Sequence, residues 1–154
     1  AFPNENTEKL VATYYDSYTN CSFCALPEFS FATETWASTS NEPFNAFYRL
    51  KDKVVASSVK VLGTNNWLNT VTYYNRNGQV IQTIGSNHLG GNDRVSTLVD
   101  FSGKKLEELH TAIGYNSGGI ATMRKRFDYD HAGRLLKVYH KINSQNEVIL
   151  SAFE

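Results

Sequence analysis

One short pattern recurs three times in this chain and constrains its fold more than any other feature. A large residue is followed by Asp or Asn, two variable residues and Gly, as YNRNG (74–78), VDFSG (99–103) and YDHAG (129–133). The glycines Gly78, Gly103 and Gly133 lie 25 and 30 residues apart. A recurrence at this spacing is typical of an architecture built from repeated supersecondary units.

The chemistry of the pattern is that of a hairpin turn. The side chain of Asn75, Asp100 or Asp130 can accept hydrogen bonds from backbone N–H groups two residues further on. Asp or Asn at the first position and Gly at the fourth suit a type I turn, with the Gly at positive φ forming a bulge before the second strand. The pattern therefore predicts positive φ at all three glycines. A polar or basic residue follows each Gly: Gln79, Lys104 and Arg134.

The third copy also invites a chemical interpretation, since RFDYDHAGR places two carboxylates beside His131. An acid/base or metal site would need this histidine. The same position holds Arg76 in the first copy and Phe101 in the second. A position that accepts three such different side chains within one chain favours a turn over an acid/base or metal site.

Strand signals flank the turns and predict an all-β fold of antiparallel hairpins in a curved sheet. The segments are rich in β-branched and aromatic residues and are separated by polar, glycine-containing breaks. They are 54–63, 67–74, 79–84, 94–101, 123–130, 131–142 and 146–154. Residues 104–112 (KKLEELHTA) have helical propensity but sit where a strand returns in the other copies, and we predict a strand. A short helix is predicted only around Pro43 to Leu50.

The segments YNRNGQVIQT and YDHAGRLLKVYH resemble the Tyr-Asp (YD) repeats of RHS-type proteins of Gram-negative bacteria. The resemblance extends from about Val59 to Glu154, and before that only TYYDSY (13–18) suggests it. The second copy departs from the family pattern, with Val99 in place of Tyr74 or Tyr129 and Lys104 in place of the Arg.

This resemblance implies hairpins that join into a long spiralling sheet, which in complete family members encloses a toxin or other cargo. Many members also carry a self-cleaving aspartyl segment with an Asp-Pro-Gly-type signature. That signature is absent from this sequence, so the processing chemistry is not carried over.

The expected organisation is one structural domain with an irregular N-terminal part (1–58), covering one face of the sheet, and a YD-repeat-like hairpin region (59–154). The resemblance implies a non-enzymatic structural fragment of a large envelope-associated or secreted protein, contributing to a β-shell or surface scaffold. The first residue is Ala1, which we interpret as a sign of excision or processing. The expected partner is the remainder of its own polypeptide.

An alternative function is a carbohydrate- or protein-binding module that uses exposed aromatic residues, since aromatic residues form 13% of the chain. Trp36, Trp67 and the tyrosines could provide a stacking platform for a surface glycan, although core packing is the simpler use. The charge balance, 15 basic against 15 acidic residues, argues against a nucleic-acid binder. No apolar run reaches the roughly 18 residues of a membrane span.

The remaining candidate sites are weak, and we expect no catalytic residues, metal or cofactor. Cys21 and Cys24 form a lone CxxC pair, to be read as two free thiols or one local disulfide. The Gly-rich stretch NHLGGND (87–93) lacks the signatures of a phosphate loop and is expected to be a plain loop. The four histidines have no metal-ligand spacing: His88, His110, His131 and His140.

The last segment, NEVILSAFE, has a property of its own. Phe153-Glu154 matches Phe127-Asp128, which directly precedes the motif Tyr129. The apolar run 148–150 suits a strand buried on both faces in an intact shell. In this chain we expect it to be an edge strand that pairs with a second copy or is covered by the N-terminal segment.

Overall fold

The computed structural model of the protein describes residues 8–37, 43–88, 90–114 and 119–153, and these form one open antiparallel sheet of nine strands in chain order. The strands are β1 (Val11–Asp16), β2 (Leu50–Lys60), β3 (Trp67–Tyr74), β4 (Val80–Ser86), β5 (Asn92–Val99), β6 (Lys105–Ile113), β7 (Ile120–Tyr129), β8 (Leu135–Ile142) and β9 (Val148–Ala152). Each strand pairs with its sequence neighbours, so the predicted all-β hairpin architecture is confirmed.

Two local predictions had opposite outcomes. The segment KKLEELHTA is a strand within β6, because pairing with β5 and β7 overrides its helical propensity. The helix predicted around Pro43 to Leu50 is wrong. Residues 43–49 have no helical structure, and the Phe47 N–H donates to the carbonyl of Tyr74 at 2.8 Å, which ties this segment to the end of β3.

The long connection between β1 and β2 provides much of the core. Three short 3-10 turns (Tyr18–Asn20, Ser22–Ala25 and Pro27–Phe29) place aromatic rings on the first strands of the sheet. Tyr18 stacks on Tyr73 with ring centroids 4.8 Å apart, and the Tyr73 hydroxyl donates to the carbonyl of Phe29 at 2.7 Å. Burial raises the pKa of Tyr73 to about 12. The boundary that the sequence suggested between residues 58 and 59 falls inside β2.

A segment that we call the strap, residues 29–37, then crosses β4 to β7 and is held by buried polar side chains. Gln82 on β4 both accepts from the N–H of Ala32 and donates to its carbonyl, at 2.9 Å each. Ser96 and Arg94 on β5 donate to Glu34 at 2.9 Å. Because these side chains lie on one face of neighbouring strands, they fix the path of the strap strand by strand.

The last attachment of the strap is a buried carboxylate. Glu107 on β6 is 0% exposed, accepts the N–H of Ala37 at 3.0 Å and pairs with Arg124 on β7. Arg124 also donates to the carbonyl of Thr35 at 2.8 Å. A buried charge is tolerated only when it is paired and hydrogen-bonded, so this pair and the strap depend on each other.

Among the described residues, β9 lies at the far edge of the sheet and pairs with β8 alone. Val148, Ile149 and Leu150 are 57%, 55% and 59% exposed. The prediction of an edge strand is confirmed. Because these three side chains are more than half exposed, covering of β9 by the N-terminal segment is not found among the described residues.

Candidate functional site

The three motif copies form hairpin turns with the same hydrogen bonds. In each, the N–H of the Gly donates to the carbonyl of the Asn or Asp at 3.0 Å. The Asn or Asp N–H donates at 2.9 Å to the carbonyl of the residue after the Gly. Gly78, Gly103 and Gly133 have φ of 73°, 89° and 80°, which confirms the predicted positive φ. A register shift accompanies each turn, as expected of a bulge.

The Asn and Asp side chains complete the turns. Asp130 Oδ1 accepts the N–H of Ala132 at 2.9 Å and that of Arg134 at 2.8 Å. Asp100 accepts the corresponding N–H groups of Ser102 and Lys104, and Asn75 those of Asn77 and Gln79. One side-chain oxygen thus binds two N–H groups in all three copies, and an amide serves as well as a carboxylate.

These hydrogen bonds stabilise the ionised form of both acids. Hydrogen bonds from the backbone and side chain of Arg134 lower the pKa of Asp130. Desolvation raises the pKa of Asp100, but hydrogen bonds from Ser102 and Lys104 outweigh it and leave the pKa lowered. A general acid would need a raised pKa, so neither carboxyl suits that role. His131 is exposed at the turn, where the permissive position in the sequence puts it.

The turns also contact one another, because all three lie at the same end of the sheet with two strands between successive turns. Lys104, which follows the second turn, lies over the ring of Tyr129 in the third, with Nζ 4.6 Å from the ring centroid. The Tyr129 hydroxyl donates to the carbonyl of Lys105 at 2.8 Å. Each motif tyrosine is therefore held between a cation and a backbone carbonyl of the preceding hairpin.

The first copy repeats this arrangement. Lys53 Nζ lies 5.6 Å from the ring centroid of Tyr74, and the Tyr74 hydroxyl donates to the carbonyl of Val54 at 2.7 Å. Burial raises the pKa of Tyr74 and of Tyr129. The second copy has Val99 in place of the tyrosine, and there Gln79 Nε2 donates to the carbonyl of Phe101 at 3.4 Å. We use the name turn row for the three motif turns (residues 74–79, 99–104 and 129–134) together with these contacts between neighbouring hairpins.

Two further positions resemble the motif turns, and the sequence did not predict them. Asp52 has φ of 62°, the conformation of the turn glycines, and directly precedes Lys53 as Gly103 precedes Lys104. The signal is in the sequence, because Tyr48 stands four residues before Asp52, as Tyr74 stands before Gly78.

A turn with the same chemistry closes the opposite end of the sheet, where Gly90 has φ of 80° and Asn87 Oδ1 accepts the N–H of Gly91 at 3.0 Å. Leu89 within it lies outside the described residues.

The other candidates take structural places. Cys21 and Cys24 form a disulfide, and both are buried beside Phe29. Trp36 packs edge-on against Phe44 with centroids 4.9 Å apart, and Trp67 begins β3. Among the described residues there is no group of three or more His, Cys, Asp or Glu side chains that could hold a metal ion.

A cavity of about 390 Å³ lies between residues 43–47 and the first two turns. Phe47 and Val99 give it apolar lining, and polar groups come from Asn45, Arg76 and Asn77. These three side chains are exposed and have no hydrogen bond or ion pair to any described residue. The cavity therefore opens directly beside the turn row.

Comparisons with known proteins add no identity: no protein-family model and no curated protein matches this chain. Within the part of the chain that the structure describes, no helix has the length and apolar character needed to cross a membrane.

Proposed function

We propose that this chain is a non-enzymatic section of sheet in a large envelope-associated or secreted YD-repeat protein, where it contributes to a β-shell or surface scaffold. The observation that carries the proposal is the turn row. The motif tyrosine links β3 to β2 and β7 to β6 through the same hydroxyl-to-carbonyl bond, and at the second copy, which lacks the tyrosine, Gln79 bonds to the carbonyl of Phe101 instead. Such a unit can be added repeatedly without changing its contacts, which is what an extended wall requires.

The open edge of the sheet supports the same proposal. β9 exposes apolar side chains together with one row of backbone groups, and soluble sheets usually protect such edges. The Phe153 N–H donates to Leu136 of β8, and because N–H directions alternate along a strand, the Ala152 N–H points to the open side. A further strand at this edge would bury both.

A disulfide between Cys21 and Cys24 supports the proposed location, because disulfides persist in oxidising compartments such as the periplasm and the cell exterior. The proposal assigns no catalytic role to the acids of the turn row, because their carboxylates accept hydrogen bonds from the backbone of their own turns.

The experiment is sedimentation velocity of the chain over a range of concentrations. We expect self-association through the β9 edge and its loss in Leu150→Lys, because a lysine on an edge strand opposes strand addition. The matched control is Leu62→Lys, which places the same charge on an exposed leucine in the β2–β3 turn and should leave association unchanged. A chain that stays monomeric at all concentrations would contradict the proposal.

A second candidate function, a glycan-binding module, is favoured by the cavity beside the turn row. Its unpaired guanidinium and amides next to the Phe47 ring resemble the mixed polar and aromatic lining that sugars prefer. A glycan array distinguishes the two functions. Binding that Arg76→Ala abolishes, while Arg134→Ala retains it, would favour the module over the wall.

A further inference from the structure

The geometry points to an unfilled acceptor for a tyrosine ring at Arg134 and Leu135, whose partner is the tyrosine of a further Tyr-Asp turn continuing from β9. This inference rests on the proposed function and names the contact by which the sheet would continue. It follows from the two occupied acceptors, Lys53–Val54 and Lys104–Lys105.

The occupied acceptors share one construction. Each begins with a residue at positive φ, Asp52 or Gly103. The next residue supplies a cation over the ring, and the one after it supplies the carbonyl that accepts the hydroxyl. Gly133, Arg134 and Leu135 follow the same order, and Gly133 has φ of 80°.

Strand register places the ring as well. The pairing of Ala56 with Val71 sets Tyr74 opposite Lys53, and the pairing of Glu107 with Arg126 sets Tyr129 opposite Lys104. On the β8–β9 pair, Lys137 faces Ala152, so the position that follows Glu154 comes opposite Arg134. A tyrosine there would meet Arg134 and Leu135 as Tyr129 meets Lys104 and Lys105.

The exposure of the cations indicates that this acceptor is open. The Lys104 side chain, over Tyr129, is 34% exposed, whereas the Arg134 side chain is 79% exposed. Arg134 Nε donates to Asp130 Oδ2 at 2.7 Å, which holds the guanidinium beside the turn. Arginine also stacks on aromatic rings more readily than lysine does.

The test supplies the ring. A copy of residues 129–142 is appended after Glu154, and matched forms replace the appended tyrosine by phenylalanine or alanine. We expect the tyrosine form to melt about 2–4 °C above the alanine form, with the phenylalanine form between them. Arg134→Ala should remove most of this difference, and Arg134→Lys should keep most of it, as lysine fills this place in the two occupied acceptors.

Two further measurements test whether Arg134 acts through contact with the added ring. Without the extension, Arg134→Ala should lower the melting temperature only slightly, because it loses an exposed ion pair with Asp130, whereas Lys104→Ala also loses a ring contact and should lower it more. In the extended chain, ring-current shifts of the Arg134 Nε–H signal should appear with the tyrosine and not with the alanine. Equal melting of the tyrosine and alanine forms, or a difference that Arg134→Ala does not reduce, would overturn the acceptor.

Hydrogen exchange at the Ala152 amide distinguishes failure of the acceptor inference from failure of the proposed function. If the extension protects the Ala152 amide but the tyrosine adds nothing, the sheet continues and the acceptor is wrong. If that amide stays unprotected in every extended form, both are wrong.

Discussion

Strands β2 and β3 and the last strand, β9, are built from similar residues and have opposite environments. Val55 on β2 and Val71 on β3 are both 0% exposed, whereas the valine, isoleucine and leucine of β9 are all more than half exposed. Strand pattern does not explain the difference. The β1–β2 connection lays its disulfide and aromatic rings on the first strands, and among the described residues the hydrogen bonds of its strap end at β7. Burial here is decided by what covers a strand.

The comparison is tested most strongly by the same truncation in the covered part of the sheet and on β9. Ile84→Ala removes a buried side chain in the covered part of the sheet and should lower the free energy of unfolding by about 2–5 kcal/mol. Ile149→Ala on β9 should cost less than about 0.5 kcal/mol, because its side chain is already solvated. Urea denaturation measures both, and similar losses would mean that β9 is buried in solution.

The strap is tested next. Glu107→Ala leaves Arg124 and the N–H of Ala37 without this carboxylate and should cost roughly 3 kcal/mol. The control is Glu108→Ala on the same strand, where the carboxylate pairs with the half-exposed Lys105 and should contribute no more than about 1 kcal/mol. Amide exchange of residues 32–37 should accelerate in the first variant alone. Unchanged exchange there would contradict the role of Glu107 in holding the strap.

A smaller effect is expected at the motif turns, which have the same geometry in the covered and the exposed parts of the sheet. Gly133→Ala forces a side chain into positive φ and should cost about 1–2 kcal/mol. His131→Ala in the same turn should be nearly neutral, because this exposed side chain has no hydrogen-bond partner among the described residues. Thermal unfolding of both variants provides the measurement. Equal losses would assign His131 a role beyond filling the turn.

The smallest effect concerns pH. The pKa values of Asp100 and Asp130 are lowered from 3.8, so both acids contribute stability above pH 3.8 and lose it as the pH falls through their lowered values. Asp130→Asn should keep the turn, as Asn75 does in the first copy, and remove its share of this acid sensitivity. Melting curves between pH 2 and 5 test it, and an undiminished acid loss in a variant that carries both Asp100→Asn and Asp130→Asn would place the sensitivity elsewhere.

The turn row could be predicted from sequence only in part. The turns were predictable because Asx side chains and positive-φ glycines are local requirements of the backbone. The contacts of Tyr74 and Tyr129 with a lysine were not predictable, because the lysines belong to a neighbouring part of the sheet and their distance from the rings depends on strand register. Asp52 was missed because it departs from the glycine that marks the other copies.

The sequence by itself determined the hairpins of this protein, because turn chemistry and β propensity act over a few residues. The failed helix at Pro43–Leu50 marks the limit of that reasoning, since Phe47 bonds to the end of β3, which is distant in sequence. Only the tertiary structure decided that residues 29–37 lie across the sheet and that β9 stays bare. Those outcomes depend on contacts such as Ala32 with Gln82 and Ala37 with Glu107, which join residues 50 and 70 positions apart, and no local pattern encodes them.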